Sequence, residues 1–110
     1  MEKNISSYIQ ELIDNNEVIL FMKGTALDPR CGFSATVVKL LNQLNIKFLD
    51  IDILEDEELR HGIKVFSDWP TIPQLYIKGQ FIGGCDIVLE SYKNKALFQI
   101  LKNNNTDYTA

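Results

Sequence analysis

The amino-acid sequence predicts an α/β fold, with a mixed four-stranded sheet flanked by helices on both faces. Three observations lead to this prediction: helical and strand patterns alternate, one short segment is apolar at every position, and two prolines precede a hairpin pattern. A length of 110 residues with 45% apolar composition supplies one core but is too short for two. We therefore expect a single domain over residues 1–110, with its core from about residue 5 to residue 101.

The first half of the chain alternates between helical and strand patterns. Apolar residues at helical spacing begin at Ile5, and Asn15 ends that pattern. Val18 to Met22 is a continuous apolar run, which is typical of a strand buried on both faces. A loop broken by Gly24 and Pro29 follows it. The predicted segments are helices at residues 5–15 and 32–44 and strands at residues 18–22 and 48–53.

The second half begins with an acidic run from Glu55 to Glu58, which favours the first turn of a helix because carboxylates stabilise the positive end of its dipole. Trp69 to Pro73 cannot be helical, since each proline lacks an N–H and pushes its predecessor towards extended geometry. Lys78 and Gly79 lie between two short strand patterns and indicate a hairpin turn. We expect a helix that reaches residue 66, strands at 74–77 and 80–82, helices near 86–92 and 95–101, and a frayed tail.

The order of these segments is α-β-α-β-α-β-β-α, in which a β-α-β unit precedes a helix, a hairpin and a closing helical part. A right-handed crossover in the first unit gives a mixed sheet with helices on both faces. This topology is the thioredoxin arrangement, although the order alone allows other α/β sandwiches.

Composition excludes several classes of function. A net charge of -4 argues against a surface that binds nucleic-acid phosphates. No apolar run approaches the roughly 18 residues that span a bilayer, and the first residues lack the pattern of a signal or transit peptide. We expect a bacterial cytoplasmic protein or, as an alternative, a processed protein of an organelle matrix. Two cysteines do not make a disulfide scaffold, so both remain available as thiols.

Cys31 lies between a predicted strand and loop and the start of a helix. Unpaired N–H groups at a helix N-terminus favour the thiolate, and the charges of Lys23 and Arg30 would add to the effect. Ser34 stands where a C-x-x-C pair has its second cysteine, and a hydroxyl cannot resolve a mixed disulfide. These residues predict a monothiol chemistry at Cys31.

Three stretches of the sequence together carry a family resemblance. They read K-G-T-A-L-D-P-R-C-G-F-S, W-P-T-I-P-Q-L-Y-I-K-G and F-I-G-G-C-D-I. In this order and spacing they resemble the monothiol glutaredoxins of the Cys-Gly-Phe-Ser (CGFS) type, in their short, single-domain branch. The resemblance covers about residues 5–101. It implies the glutaredoxin form of the thioredoxin fold and a role with glutathione in handling 2Fe-2S clusters.

The resemblance implies a glutathione site. In the family pattern two cations pair with the glycine carboxylate, and the backbone before a cis proline pairs with the cysteine moiety like an added strand. A cysteine and an aspartate bind the γ-glutamyl end, where the aspartate accepts from the amine. The implied glutathione-binding residues are Lys23, Arg60, Ile72, Cys85 and Asp86. For Cys85, simple packing beside the site, a reversible disulfide with Cys31 and a ligand role all stay open.

Ligand counting leads to the functional hypotheses. A 2Fe-2S cluster takes four thiolates, and the resemblance implies that two chains supply Cys31 while two glutathiones supply the others. The residues alone equally allow two chains that use Cys31 and Cys85. The first hypothesis is a homodimeric carrier that transfers the cluster to apo iron-sulfur proteins. The alternative is an enzyme, a glutathione-dependent oxidoreductase that acts through Cys31 on glutathionylated thiols. The resemblance also implies complexes with BolA-like proteins.

Overall fold

The computed structural model describes residues 4–110, which contain a four-stranded sheet. The strands are β1 (Val18–Met22), β2 (Leu49–Asp52), β3 (Gln74–Ile77) and β4 (Gln80–Gly83), and their order in the sheet is β2-β1-β3-β4. The helices are α1 (Ile5–Asn15), α2 (Gly32–Gln43), α3 (Glu57–Ser67), α4 (Cys85–Lys93) and α5 (Ala96–Asn103). None of the helices in this described part is long and apolar enough to cross a membrane.

β1 is a central strand of the sheet. It pairs in parallel with β2 and antiparallel with β3, and β3 pairs antiparallel with β4. Every residue of β1 is buried, which confirms the prediction of a strand that is covered on both faces. The mixed four-stranded sheet is confirmed as well.

The two faces of the sheet support separate cores. Leu20 and Met22 point into one core, which α2, α4 and α5 cover. Ile19 and Phe21 point into the other, which α1 and α3 cover. Successive side chains of a strand point to opposite faces, so a strand that is apolar throughout can serve both cores. The predicted placement of helices on both faces is confirmed.

The segment after β2 differs in detail from the prediction. β2 ends at Asp52, and a short 3-10 turn at Ile53–Glu55 comes before the helix. The side chain of Asp52 accepts a hydrogen bond from the N–H of Leu54, and Asp56 accepts one from the N–H of Leu59. The acidic run therefore does not all lie in the first turn of α3, because one of its carboxylates caps that helix.

The C-terminal tail, which the sequence led us to expect to be frayed, contacts the rest of the chain. The N–H of Thr109 donates to the carbonyl of Leu44 at 2.7 Å. The ring of Tyr108 lies 5.5 Å from that of Phe98 on α5, and Thr106 is buried. The polar run before Tyr108 gave no indication of this aromatic contact. Such a contact opposes the entropy cost of ordering the tail.

Truncations on either face of β1 should destabilise the fold to a similar extent. We expect Leu20→Ala and Phe21→Ala each to lower the free energy of unfolding by about 2–5 kcal/mol, since both side chains are fully buried. Urea unfolding followed by circular dichroism measures the change. Leu27 is 100% exposed, so Leu27→Ala should stay within about 0.5 kcal/mol of the parent chain. A large loss on one face alone would contradict the two-core description.

Candidate functional site

Cys31 is the N-cap residue of α2 and is partly exposed. The pKa of its thiol is lowered, chiefly by the backbone N–H of Ser34, with smaller contributions from the N–H of Phe33 and the charge of Lys23. Partial burial of the sulfur opposes this shift without cancelling it. The direction agrees with the thiolate expected at a helix N-terminus. Cys31 is therefore poised as a nucleophile or a metal ligand.

Arg30 pairs with a carboxylate, whereas its position next to Cys31 in the sequence suggested that it would lie by the thiolate. Its guanidinium pairs with the carboxylate of Asp28, with Nε 2.9 Å and the terminal nitrogen 2.8 Å from Oδ2. Both side chains are about two-thirds exposed, so this pair lies at the surface. The positive charge that lowers the pKa of Cys31 comes from Lys23.

Ser34 has a role that its sequence position did not reveal. Its side chain is fully buried, and its Oγ accepts a hydrogen bond from the N–H of Lys23 at 3.2 Å. After the backbone N–H groups of Ser34 and Phe33 and the charge of Lys23, the same hydroxyl makes the smallest contribution to the lowered pKa of the Cys31 thiol. Ser34 thus connects the end of β1 with the reactive sulfur, in addition to leaving the site without a second thiol.

Two carboxylates of β2 hold the loop that leads to Cys31. Asp52 accepts from the N–H of Gly24 at 2.9 Å, and Asp50 accepts from the N–H of Ala26 at 2.7 Å. Gly24 has a φ of 87°, and a Cβ there would lie 2.5 Å from the carbonyl oxygen of Asp28. The spacing of Asp50 and Asp52 in the sequence already placed both side chains on one face of a strand, since residues two apart on a strand share one face. It could be interpreted only once β1 and β2 were known to be parallel neighbours.

A cleft of about 450 Å³ opens beside Cys31. Its lining residues come from the end of β1, the start of α2, α3, the segment before β3 and the start of α4. They are Lys23, Cys31, Phe33, Lys64, Trp69, Pro70, Thr71, Ile72, Pro73, Gly84, Cys85, Asp86 and Ile87. The cleft therefore brings together every predicted site residue except Arg60.

Lys64 lines the cleft where the sequence led us to expect Arg60. Arg60 is exposed in the first turn of α3 and is not among the lining residues, whereas Lys64 lies one turn further along and is partly buried. Residues four apart are neighbours on a helix face, so Lys64 shares the predicted side of α3 but lies closer to the cleft. That spacing is the signal that could have identified Lys64.

One wall of the cleft is formed by the segment that precedes β3. The Ile72-Pro73 peptide bond is cis, as the family resemblance implied. Gly84 faces this segment from the start of α4, and a Cβ on Gly84 would lie 3.4 Å from the carbonyl oxygen of Pro73 and 3.5 Å from Nε1 of Trp69. The two walls are thus in close contact at this end of the cleft.

The Gly83-Gly84 pair is buried. Gly83 has a φ of 144°, and a Cβ there would come within 2.7 Å of the Ile87 side chain. The pair serves the close packing of β4 and α4 against the cleft wall. Asp86 is exposed in the first turn of α4, and Gly84 is the N-cap of that helix.

Cys85 and Cys31 lie on the same cleft but differ in protonation. Cys85 is buried, and its pKa is raised, chiefly by burial and further by the charges of Asp86 and Cys31. The Cys85 thiol is therefore harder to ionise than the Cys31 thiol. Within residues 4–110, no group of three or more His, Cys, Asp or Glu side chains is arranged to hold a metal ion.

Comparisons with known proteins agree with these features. The glutaredoxin family model matches residues 18–82. A probable monothiol glutaredoxin 2 of Rickettsia typhi is 55% identical over 102 residues, which covers 93% of this chain and 92% of the relative. An uncharacterized monothiol glutaredoxin, ycf64-like, of Synechocystis is 49% identical over 102 residues, which covers 93% of this chain and 95% of the relative.

Solved structures confirm the fold. Reduced apo GrxS14 of poplar superposes with a TM-score of 0.80 at 47% identity and covers 91% of this chain and 92% of its own. A truncated monomeric mutant of Trypanosoma brucei 1-C-Grx1 gives 0.87 at 30% identity and 99% coverage of both chains. The buckwheat glutaredoxin-glutathione complex gives 0.82 at 25% identity, with 96% of this chain and 93% of that chain covered.

Removing the hydroxyl of Ser34 should raise the pKa of the Cys31 thiol, because the thiolate loses one of the groups that stabilise it. The midpoint of the pH dependence of Cys31 alkylation by iodoacetamide measures this pKa. The comparison is Ser34→Ala against the parent, both carrying Cys85→Ser so that a single thiol reacts. We expect the midpoint to move to higher pH, and an unchanged or lower midpoint would contradict the role given to the hydroxyl.

Proposed function

Because the chain belongs to the monothiol glutaredoxin family, we propose that it acts as a CGFS-type cluster carrier. It binds a glutathione-ligated 2Fe-2S cluster between two copies of the chain and transfers the cluster to apo iron-sulfur proteins. The observation that carries this proposal is the pairing of a low-pKa, partly exposed Cys31 with a cleft whose charges suit glutathione.

The cleft has the groups that glutathione requires. Glutathione carries two carboxylates and one amine, and the cleft offers cations at Lys23 and Lys64 and an anion at Asp86. Its volume of about 450 Å³ falls in the usual range for small-ligand sites. The backbone of Ile72, next to the cis bond, is available to pair with the cysteine moiety like an added strand. We place glutathione here, with its thiol beside Cys31.

The N-terminus of α4 suits the γ-glutamyl end of the ligand. A helix N-terminus presents unpaired N–H groups that bind carboxylates, and Cys85 and Asp86 are the first two residues of this helix. The Asp86 carboxylate is exposed beside them and can accept from the γ-glutamyl amine. Lys23 and Lys64 then remain for the glycine carboxylate.

The protonation of the two cysteines favours one of the two ligand sets that the sequence left open. A cluster needs thiolates, and burial makes deprotonation of Cys85 unfavourable. Cys31 is then the one ligand from each chain, and the remaining ligands come from glutathione. Two chains and two glutathiones complete the set of four. Glutathione ligands can dissociate, which suits a carrier better than a permanent electron-transfer centre.

A glutathione-dependent oxidoreductase is the second candidate, and the lowered pKa of Cys31 favours it too. In this reaction the Cys31 thiolate attacks the glutathione sulfur of a protein-glutathione disulfide and releases the protein thiolate. The thiolate of a second glutathione then attacks the glutathionylated Cys31, which frees Cys31 and forms glutathione disulfide. Ser34 takes no part in the exchange, since a hydroxyl cannot replace the resolving thiol.

The remaining parts of the proposal concern partners and location. By the family resemblance we propose BolA-like proteins as additional partners. We place the protein in the cytoplasm, in keeping with its bacterial relatives. Both statements can be tested with the full chain in cells.

Anaerobic reconstitution with iron, sulfide and glutathione tests the carrier proposal. We expect visible cluster absorbance that requires both glutathione and Cys31, so Cys31→Ser should abolish it. Cys85→Ser is the matched control and should keep most of the absorbance, because Cys85 is buried and its burial raises the pKa of its thiol. The reverse pattern would contradict the ligand assignment. Efficient turnover of glutathionylated substrates without any cluster would favour the oxidoreductase instead.

Glutathione affinity should depend more on Lys64 than on Arg60, because only Lys64 lines the cleft. We expect Lys64→Gln to weaken glutathione binding about two- to fivefold, which is typical of losing one partly solvated ion pair. Arg60→Gln is the matched control and should have the smaller effect. Isothermal titration with reduced glutathione measures both affinities. A larger effect of Arg60→Gln would show that its side chain reaches the ligand after all.

A further inference from the structure

The side chain of Gln74 lies behind the wall of the cleft that ends at Pro73. Gln74 is the first residue of β3 and is fully buried. Its Nε2 lies 3.3 Å from the carbonyl oxygen of Trp69 and 3.3 Å from that of Thr71. Both carbonyls belong to residues that line the cleft. One buried amide thus contacts the backbone of the wall at two points.

The surrounding network fixes which way this amide points. The hydroxyl of Ser67 donates to the carbonyl of Ile63 at 2.8 Å, so its oxygen is free to accept from Nε2 of Gln74, also at 2.8 Å. On the other side, the hydroxyl of Tyr76 donates to Oε1 of Gln74 at 3.1 Å. Every partner of Nε2 is therefore an acceptor, and the partner of Oε1 is a donor.

The wall needs support of this kind because of its composition. Two of its five residues, Pro70 and Pro73, have no backbone N–H, and the segment lies outside the helices and strands. Carbonyl groups in such a segment have few backbone donors available, and an unpaired buried carbonyl is costly. The Gln74 amide supplies donors that a regular strand would obtain from its neighbour.

We propose that Gln74 is a positioning residue for glutathione. By holding the carbonyls on either side of Pro70, it fixes the backbone of Ile72 in the orientation that pairs with the ligand. The opposite wall leaves this segment little space to shift, since Gly84 packs closely against Pro73 and Trp69. The inference rests on the proposed glutathione site and gives that site a residue that does not touch the ligand.

The test compares three single substitutions in the full chain. Gln74→Met keeps the length of the side chain and removes its donors and its acceptor. Gln74→Glu keeps the shape and removes the amide donors, so it serves if the methionine variant folds poorly. Tyr76→Phe is the matched control, because it disturbs the same buried network but leaves the bonds to Trp69 and Thr71 in place.

Two quantities are measured for each variant: the dissociation constant for reduced glutathione and the midpoint of urea unfolding. We expect both Gln74 variants to bind glutathione about five- to tenfold more weakly, in line with the loss of one to two hydrogen bonds. In both Gln74 variants, the NMR chemical-shift change of the Ile72 amide on adding glutathione should be smaller than in the parent chain. Tyr76→Phe should lower the unfolding midpoint but change the dissociation constant less than twofold.

The outcomes separate this inference from the function on which it rests. If the Gln74 variants bind glutathione within twofold of the parent, while their unfolding midpoints fall as in Tyr76→Phe, the residue is only structural and the inference is wrong. If the parent chain itself does not bind glutathione, the proposed function fails and the inference fails with it.

Discussion

The hydroxyl of Ser34 joins the end of β1 to the start of α2, because it accepts a hydrogen bond from the N–H of Lys23 and also stabilises the Cys31 thiolate. β1 is buried on both faces, so its end has little freedom to move. The position of the thiolate relative to Lys23 is therefore set by the core of the protein. The carboxylates of Asp50 and Asp52, on the neighbouring strand β2, hold the loop between β1 and α2 by accepting hydrogen bonds from its N–H groups.

The surroundings of the two cysteines shift their pKa values in opposite directions. Cys31 lies at a helix N-terminus with a cation nearby and with partial access to solvent, which favours its charged form. Cys85 lies across the same cleft but is buried, and the negative charges of Asp86 and Cys31 further disfavour its ionisation. A chain with one accessible thiolate offers a cluster too few ligands alone, so the proposed function needs glutathione and a second copy.

Much of the fold could be predicted from the sequence, because local patterns specified it. The apolar run of β1, the helical spacing of α2 and the prolines before β3 each restrict the backbone whatever the rest of the chain does. No local pattern indicated the contact of Thr109 in the tail with Leu44, because the two residues lie far apart in the chain.

The site was predictable where a motif named the residue and less so where tertiary placement decided its role. Cys31, Ile72 and Asp86, which the family pattern singled out, line the cleft, and their part in ligand binding stays a prediction; the pattern did not identify Lys64. The aspartates of β2 act through hydrogen bonds to backbone groups far from them in the chain, and these bonds can be recognised only when β1 and β2 are placed side by side. The buried amide of Gln74 contacts the backbone of Trp69 and Thr71, which are close in sequence, but the irregular path of that segment has no periodic pattern that would indicate the contact.

We propose that the working unit is two chains that share one cluster through Cys31 and glutathione. Native mass spectrometry of the anaerobically reconstituted protein measures the composition of that unit directly. We expect a species that contains two chains, two glutathiones and one 2Fe-2S cluster, and that separates into single chains when the cluster is removed. A cluster held by a single chain, or by two chains without glutathione, would contradict the account.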